Sequence, residues 1–89
     1  MNNKRRKRIV EAKFNISMAK GYIEQANNII EEVRSEEEES HDNLPESLMD
    51  SERAYTMEEN IGYLEEAIEK LENALESLDD TCEELGEIT

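Results

Sequence analysis

The sequence predicts an all-α fold: an antiparallel two-helix hairpin, coiled-coil-like, that pairs into a four-helix bundle. Three observations carry this. Two segments each place apolar residues in an unbroken alternation of three and four, the a/d pattern of packed helices. The single proline of the 89-residue chain falls between them. The composition, 38% charged and 36% hydrophobic with no tryptophan and three glycines, is that of long helices rather than sheet.

The first helix is expected over about residues 4 to 41. Its stripe runs Ile9, Ala12, Ile16, Ala19, Ile23, Ala26, Ile30 and Val33, with Ile at each a position and Ala or Val at each d. The loop is expected over about 42 to 52, in "DNLPESL". Pro45 disfavours the α conformation at Leu44 and lacks an amide hydrogen, so the helix ends before it. A short turn can start at Pro45 itself. The second helix, about 53 to 86, carries Ala54, Met57, Ile61, Leu64, Ile68, Leu71, Leu75, Leu78, Cys82 and Leu85. The whole chain reads as one helical-hairpin domain.

Side-chain pairing suggests a register that sets Ile23 opposite Leu71 and Val33 opposite Ile61. Lys13 then meets Asp79, Lys20 meets Glu72 and Arg34 meets Glu58 at the flanking e positions. Glu37 lies over Met57, and Leu44, Leu48 and Met49 fold over the open end. The start, "MNNKRRKR", carries five positive charges and opposes the dipole of its own helix. In this register it lies beside the acidic "DDTCEELGE" and each cluster relieves the other.

A lone pair of helices buries little apolar surface, so a further contact is expected. Val10, Phe14, Met18 and Tyr22 advance in steps of four around the outside of the first helix. Tyr22 and Ile29 sit at g positions facing Ala74 and Ala67, where small side chains admit another helix. These seven residues are the predicted self-association or partner surface, with a homodimer as the economical outcome.

The net charge of −14 comes from 24 acids against ten Lys/Arg. It argues against direct binding of nucleic acid or an acidic membrane and favours basic protein partners. No apolar run is long enough to span a membrane, and the basic start lacks the apolar stretch of a signal peptide. One cysteine allows no internal disulfide, which suits a reducing compartment.

Catalytic and metal patterns are weak. Glu38 and His41 have the Glu-x-x-His spacing of di-iron bundles, but a second histidine is lacking. Glu69-x-x-Glu72 and Glu76-x-x-Asp79 match the carboxylate spacing of all-α magnesium-dependent nucleotide hydrolases. The heptad turns them away from the seam, and a helix this acidic produces such spacings by chance. Cys82 is a seam residue without a neighbouring histidine. The sequence therefore predicts no enzyme, no cofactor and no metal site, with a nucleotide hydrolase as a remote alternative. The stronger signal is an acidic face on the second helix: Glu58, Glu59, Glu65, Glu66, Glu69, Glu72, Glu76, Asp79, Asp80, Glu83, Glu84 and Glu87. Carboxylates three or four residues apart on a helix stand about 5–6 Å apart, close to the phosphate interval of one nucleic-acid strand.

"HDNLPESLMDSER", with "MNNKRRKRIVEA" before it and "MEENIGYLEEAIEKLENALESL" after it, resembles a family of small acidic proteins of phages and prophages in low-GC Gram-positive bacteria. His41 stands where that family carries an aromatic residue. The resemblance implies an accessory protein of a mobile element, acting in the cytosol of a bacterial host, but no activity and no functional residues. The expected function is binding and modulation or inhibition of a host or phage protein, such as a defence nuclease, with nucleic-acid mimicry as its sharper form. A structural, assembly or regulatory component of the phage is the alternative.

Overall fold

The computed structural model describes every residue from Met1 to Thr89. It holds two α-helices, α1 (Asn3–Asp42) and α2 (Glu52–Gly86), joined through a 3-10 turn at Glu46–Leu48, and no strand. Two helices of this kind are consistent with a helical hairpin. The chain divides into two compact units: Met1–Ala26 with Leu71–Thr89, and Asn27–Lys70.

Local chemistry sets the helix ends. At the start of α1 the Asn2 carboxamide oxygen accepts the amide of Arg5 at 2.9 Å, satisfying one of the free first-turn donors. The connection after Asp42 needs no left-handed residue. Pro45 sits at φ −56° and ψ 145°, an extended conformation that redirects the chain. The amides of Leu48 and Met49 then bond back to the carbonyls of Pro45 and Glu46 at 2.8 and 3.2 Å. Ser51 closes the loop and opens α2: its hydroxyl donates to the Leu48 carbonyl at 2.6 Å and accepts the Ala54 amide at 3.2 Å.

In the first unit Lys20 pairs with Asp79, and the Lys13 ammonium lies 3.5 Å from the Thr89 hydroxyl. In the second, Arg34 lies 3.8 Å from Glu65, and His41 Nε2 lies 3.0 Å from Glu58. Within each unit the helices therefore run antiparallel. The e-row partners differ from the sequence expectation by one heptad. Lys20 meets Asp79 instead of Glu72, Arg34 meets Glu65 instead of Glu58, and Glu58 goes to His41. The physical reason lies at the loop. The first turns of α2 hold Ala54 and Met57, the only buried apolar residues of the chain. Leu44 and Met49 are half-buried there, whereas Leu48 stays exposed.

A second correction concerns the face α1 turns to its neighbour. On α2 the covered rows are a and d, as the heptad predicts. On α1 they are a and e: Ile16, Ile23, Ile30 and Glu37 with Lys20, Asn27, Arg34 and His41. The d residues Ala19, Ala26 and Val33 are exposed. Long e-row side chains reaching carboxylates on α2 hold that edge of α1 in the seam.

The third correction is at the N-terminus. With the register advanced, Lys13 already stands beside Gly86 and Thr89, so the turns before it run past the end of α2. Lys4, Arg5, Arg6, Lys7 and Arg8 are exposed, and none has a carboxylate within ion-pair distance. The expected relief between the basic start and "DDTCEELGE" does not form.

Asn27 is the one buried polar residue, and its side-chain oxygen has no hydrogen-bond partner. Such an orphan costs about 1–3 kcal/mol. Replacing it by leucine, which is similar in shape, is expected to raise the urea midpoint by an amount corresponding to about 1–3 kcal/mol. Ser51→Ala removes the α2 cap and should lower stability by about 1 kcal/mol. Equilibrium unfolding followed by circular dichroism checks both, and a lower midpoint for Asn27→Leu would contradict the packing described.

Candidate functional site

The acidic residues of α2 fall on its b, c, e and f positions, away from the covered a/d rows, so helix geometry alone turns them outward. Glu58, Glu59, Glu65, Glu66, Glu69, Glu72, Glu76, Asp79, Asp80 and Glu83 are all exposed. The structure separates them into two sets. The first is engaged: Glu58 with His41, Glu65 with Arg34, Glu66 with Lys70 at 3.1 Å, Asp79 with Lys20, and Glu59 accepting the Tyr63 hydroxyl at 3.1 Å. The second, Glu69, Glu72, Glu76, Asp80, Glu83, Glu84 and Glu87, has no cation within ion-pair distance. Asp80, Glu83, Glu84 and Glu87 line an open groove on the last turns of α2. The face is uniform in sequence, but its free charge lies toward the C-terminal half.

The residues singled out for chemistry go elsewhere. Glu38 accepts from Arg34 at 3.3 Å, and His41 turns to Asp42 and Glu58 rather than to Glu38. Asp79 is taken up by Lys20, whose pKa is raised, chiefly by the hydrogen bond to that carboxylate. Cys82 is a half-buried free thiol. No group of three or more His, Cys, Asp or Glu side chains is disposed to hold a metal ion. No helix is long and apolar enough to cross a membrane.

The predicted association residues are divided as well. Val10, Phe14, Met18, Tyr22 and Ile29 are exposed, Tyr22 most of all at 66%. Ala67 and Ala74 are half-buried. A shallow groove runs beside Tyr22, lined by Ser17, Met18, Gly21, Tyr22 and Gln25. Ala19, Ala26 and Val33, which the heptad places in the seam, are exposed as well. The available signal was the e row of α1, where Lys20, Arg34 and His41 recur at multiples of seven opposite an acidic e row on α2.

No protein-family model matches the chain, and neither a curated protein nor a solved structure matches it.

The best-defined titratable group is His41, the only histidine. Asp42, at 3.5 Å from Nδ1, and Glu58, at 3.0 Å from Nε2, both favour the imidazolium and raise its pKa above the ordinary 6.5, against the opposing effect of partial burial. A raised pKa means the folded state holds this proton more tightly than the unfolded chain. The stabilisation is complete below 6.5 and is lost as the pH climbs through the raised value. An NMR titration of the single imidazole is expected to give a pKa above 6.5 that falls in Glu58→Gln. Wild type should lose its melting-temperature advantage over His41→Gln between mildly acidic and mildly alkaline pH.

Proposed function

We propose that this chain is a non-enzymatic interaction protein. Two copies pair through exposed apolar surface on α1 into a four-helix bundle. The outward carboxylates of α2 bind a basic protein surface that otherwise receives nucleic acid. The observation that carries the reading is the unpaired set Glu69, Glu72, Glu76, Asp80 and Glu83, exposed along one helix without a compensating cation. Their helical spacing approximates that of phosphates along a strand. Occupying a nucleic-acid groove would inhibit or modulate its owner, which suits the phage-type context that the resemblance of the loop implies, in the cytosol of a bacterial host. A second reading, an assembly or regulatory component, is favoured by the exposed Val10, Phe14 and Met18, which offer a salt-tolerant contact.

Affinity capture from host lysate followed by mass spectrometry identifies the partner, and titration with the purified partner then separates the readings. Charge mimicry predicts a nucleic-acid-binding partner and affinity that falls steeply with salt. Reversal of Glu69, Glu72, Glu76 and Glu83 to lysine is expected to weaken binding by about a hundredfold or more, since each lost charge-assisted contact is worth roughly 1.5–3 kcal/mol. Salt-independent binding that survives the reversal and is lost in Phe14→Ser would establish the assembly reading instead.

A further inference from the structure

We propose that the occupant of the open α1 face is a second copy of this chain running antiparallel to the first along α1, held in register by the basic start of one copy and the acidic end of α1 in the other. This rests on the bundle reading above and specifies its interface and direction.

The first observation is the stripe left uncovered. From Asn15 to Val33 every g and d position of α1 is uncharged and exposed: Asn15, Ala19, Tyr22, Ala26, Ile29 and Val33. Tyr22, Ile29 and Val33 are 66%, 60% and 42% exposed. Positions g and d alternate in steps of three and four, so they form a second seam on the same helix. When the g row of one antiparallel copy meets the d row of another, Tyr22 falls against the second copy's Ala26 and Ile29 against its Ala19. Two-fold symmetry repeats both contacts. Each large side chain meets an alanine, which suits close interdigitation.

The second observation fixes the direction. α1 opens with Lys4, Arg5, Arg6, Lys7 and Arg8, all exposed and without an ion-pair partner. It closes with Glu36, Glu37, Glu38, Glu39 and Asp42. The alignment that meshes Tyr22 with Ala26 also brings Arg6, Lys7 and Arg8 level with the second copy's Asp42, His41 and Ser40. Its Glu36–Glu39 lie within a turn or so. Parallel copies would instead stack cations on cations and acids on acids.

The third observation is the surface available. The chain exposes 6805 Å². A folded monomer of 10.3 kDa is expected to expose about 5,400 Å². The excess exceeds the roughly 800 Å² per partner that a specific interface buries. Only Ala54 and Met57 are fully buried apolar residues, and Val10, Phe14, Met18, Tyr22, Ile29 and Val33 of α1 remain exposed. Nucleic acid is a poorer occupant of the basic turns, because the rest of the chain carries 24 acids against five Lys/Arg.

The test uses the full chain alone, so its failure is separate from failure of partner binding. Sedimentation equilibrium should give a dimer. Tyr22→Glu combined with Ile29→Glu should give a monomer that keeps its helical circular dichroism. On a Cys82→Ser background, Arg8→Cys mixed with Ser40→Cys should form the mixed disulfide faster than either variant alone forms its own. Changing Lys4, Arg5, Arg6, Lys7 and Arg8 to glutamate should raise the dimer Kd about tenfold or more, or 1.4 kcal/mol. Adding the reversal of the exposed Glu36 and Glu39 to lysine should restore it. A wild-type monomer at micromolar concentration overturns the proposal. So does preferential disulfide formation between two Arg8→Cys copies, or a dimer indifferent to the charge reversal.

Discussion

The e-row pairing between α1 and α2 determines most of what the rest of the molecule can do. Lys20, Arg34 and His41 reach Asp79, Glu65 and Glu58, each a multiple of seven residues apart on its own helix. Individually such exposed pairs contribute only about 0.2–1 kcal/mol. Their leverage comes from position. Holding the e edge of α1 in the seam rotates its d edge out, and Ala19, Ala26 and Val33 become surface. A contact set that is weak in energy therefore decides which apolar row is spent inside the chain and which remains open.

The same pairing explains how little is buried. The isoleucines of the a row are only half-covered, and no large side chain is wholly enclosed. Asn27 takes an e position in the seam where an apolar residue would pack without an orphaned oxygen. A polar residue at such a site disfavours slipped pairings at a cost in stability, the role best attested for single buried asparagines in coiled coils.

The two helices, the break at Pro45 and the outward acids of α2 were legible because each follows from a local rule: heptad periodicity, the missing proline amide, and helix geometry. The register was not, and the reason lies in the sequence. Glu58, Glu65, Glu72 and Asp79 place an acid at every e position over four heptads, while Lys13, Lys20 and Arg34 supply cations at the same interval. A slide of seven residues exchanges one set of complementary pairs for another, so charge matching cannot choose. The choice depends on burial at the start of α2, where Ala54 and Met57 are enclosed, and so on the path of the chain after Asp42. The rotation of α1 was hidden for a related reason. Its apolar residues cover a, d and g together, wider than one neighbouring helix can bury, and periodicity does not say which edge is left out. The division of the acidic face into paired and free halves follows from the register and was lost with it.

Those dependencies lead to a separation of tasks between the helices. A chain with a net charge of −14 can meet a copy of itself only where like charges are absent or offset. The b, c, e and f rows of α2 are excluded, because Glu69, Glu72, Glu76, Asp80 and Glu83 would face their own equivalents. The open rows of α1 satisfy the condition twice: the middle is neutral, and the ends carry opposite signs. Self-recognition on α1, as proposed, would leave α2 free, and pairing two copies would double the acids presented to a third molecule without forcing them together. Binding a basic surface and binding a second copy are thus compatible because the sequence places the charge needed for each on different helices.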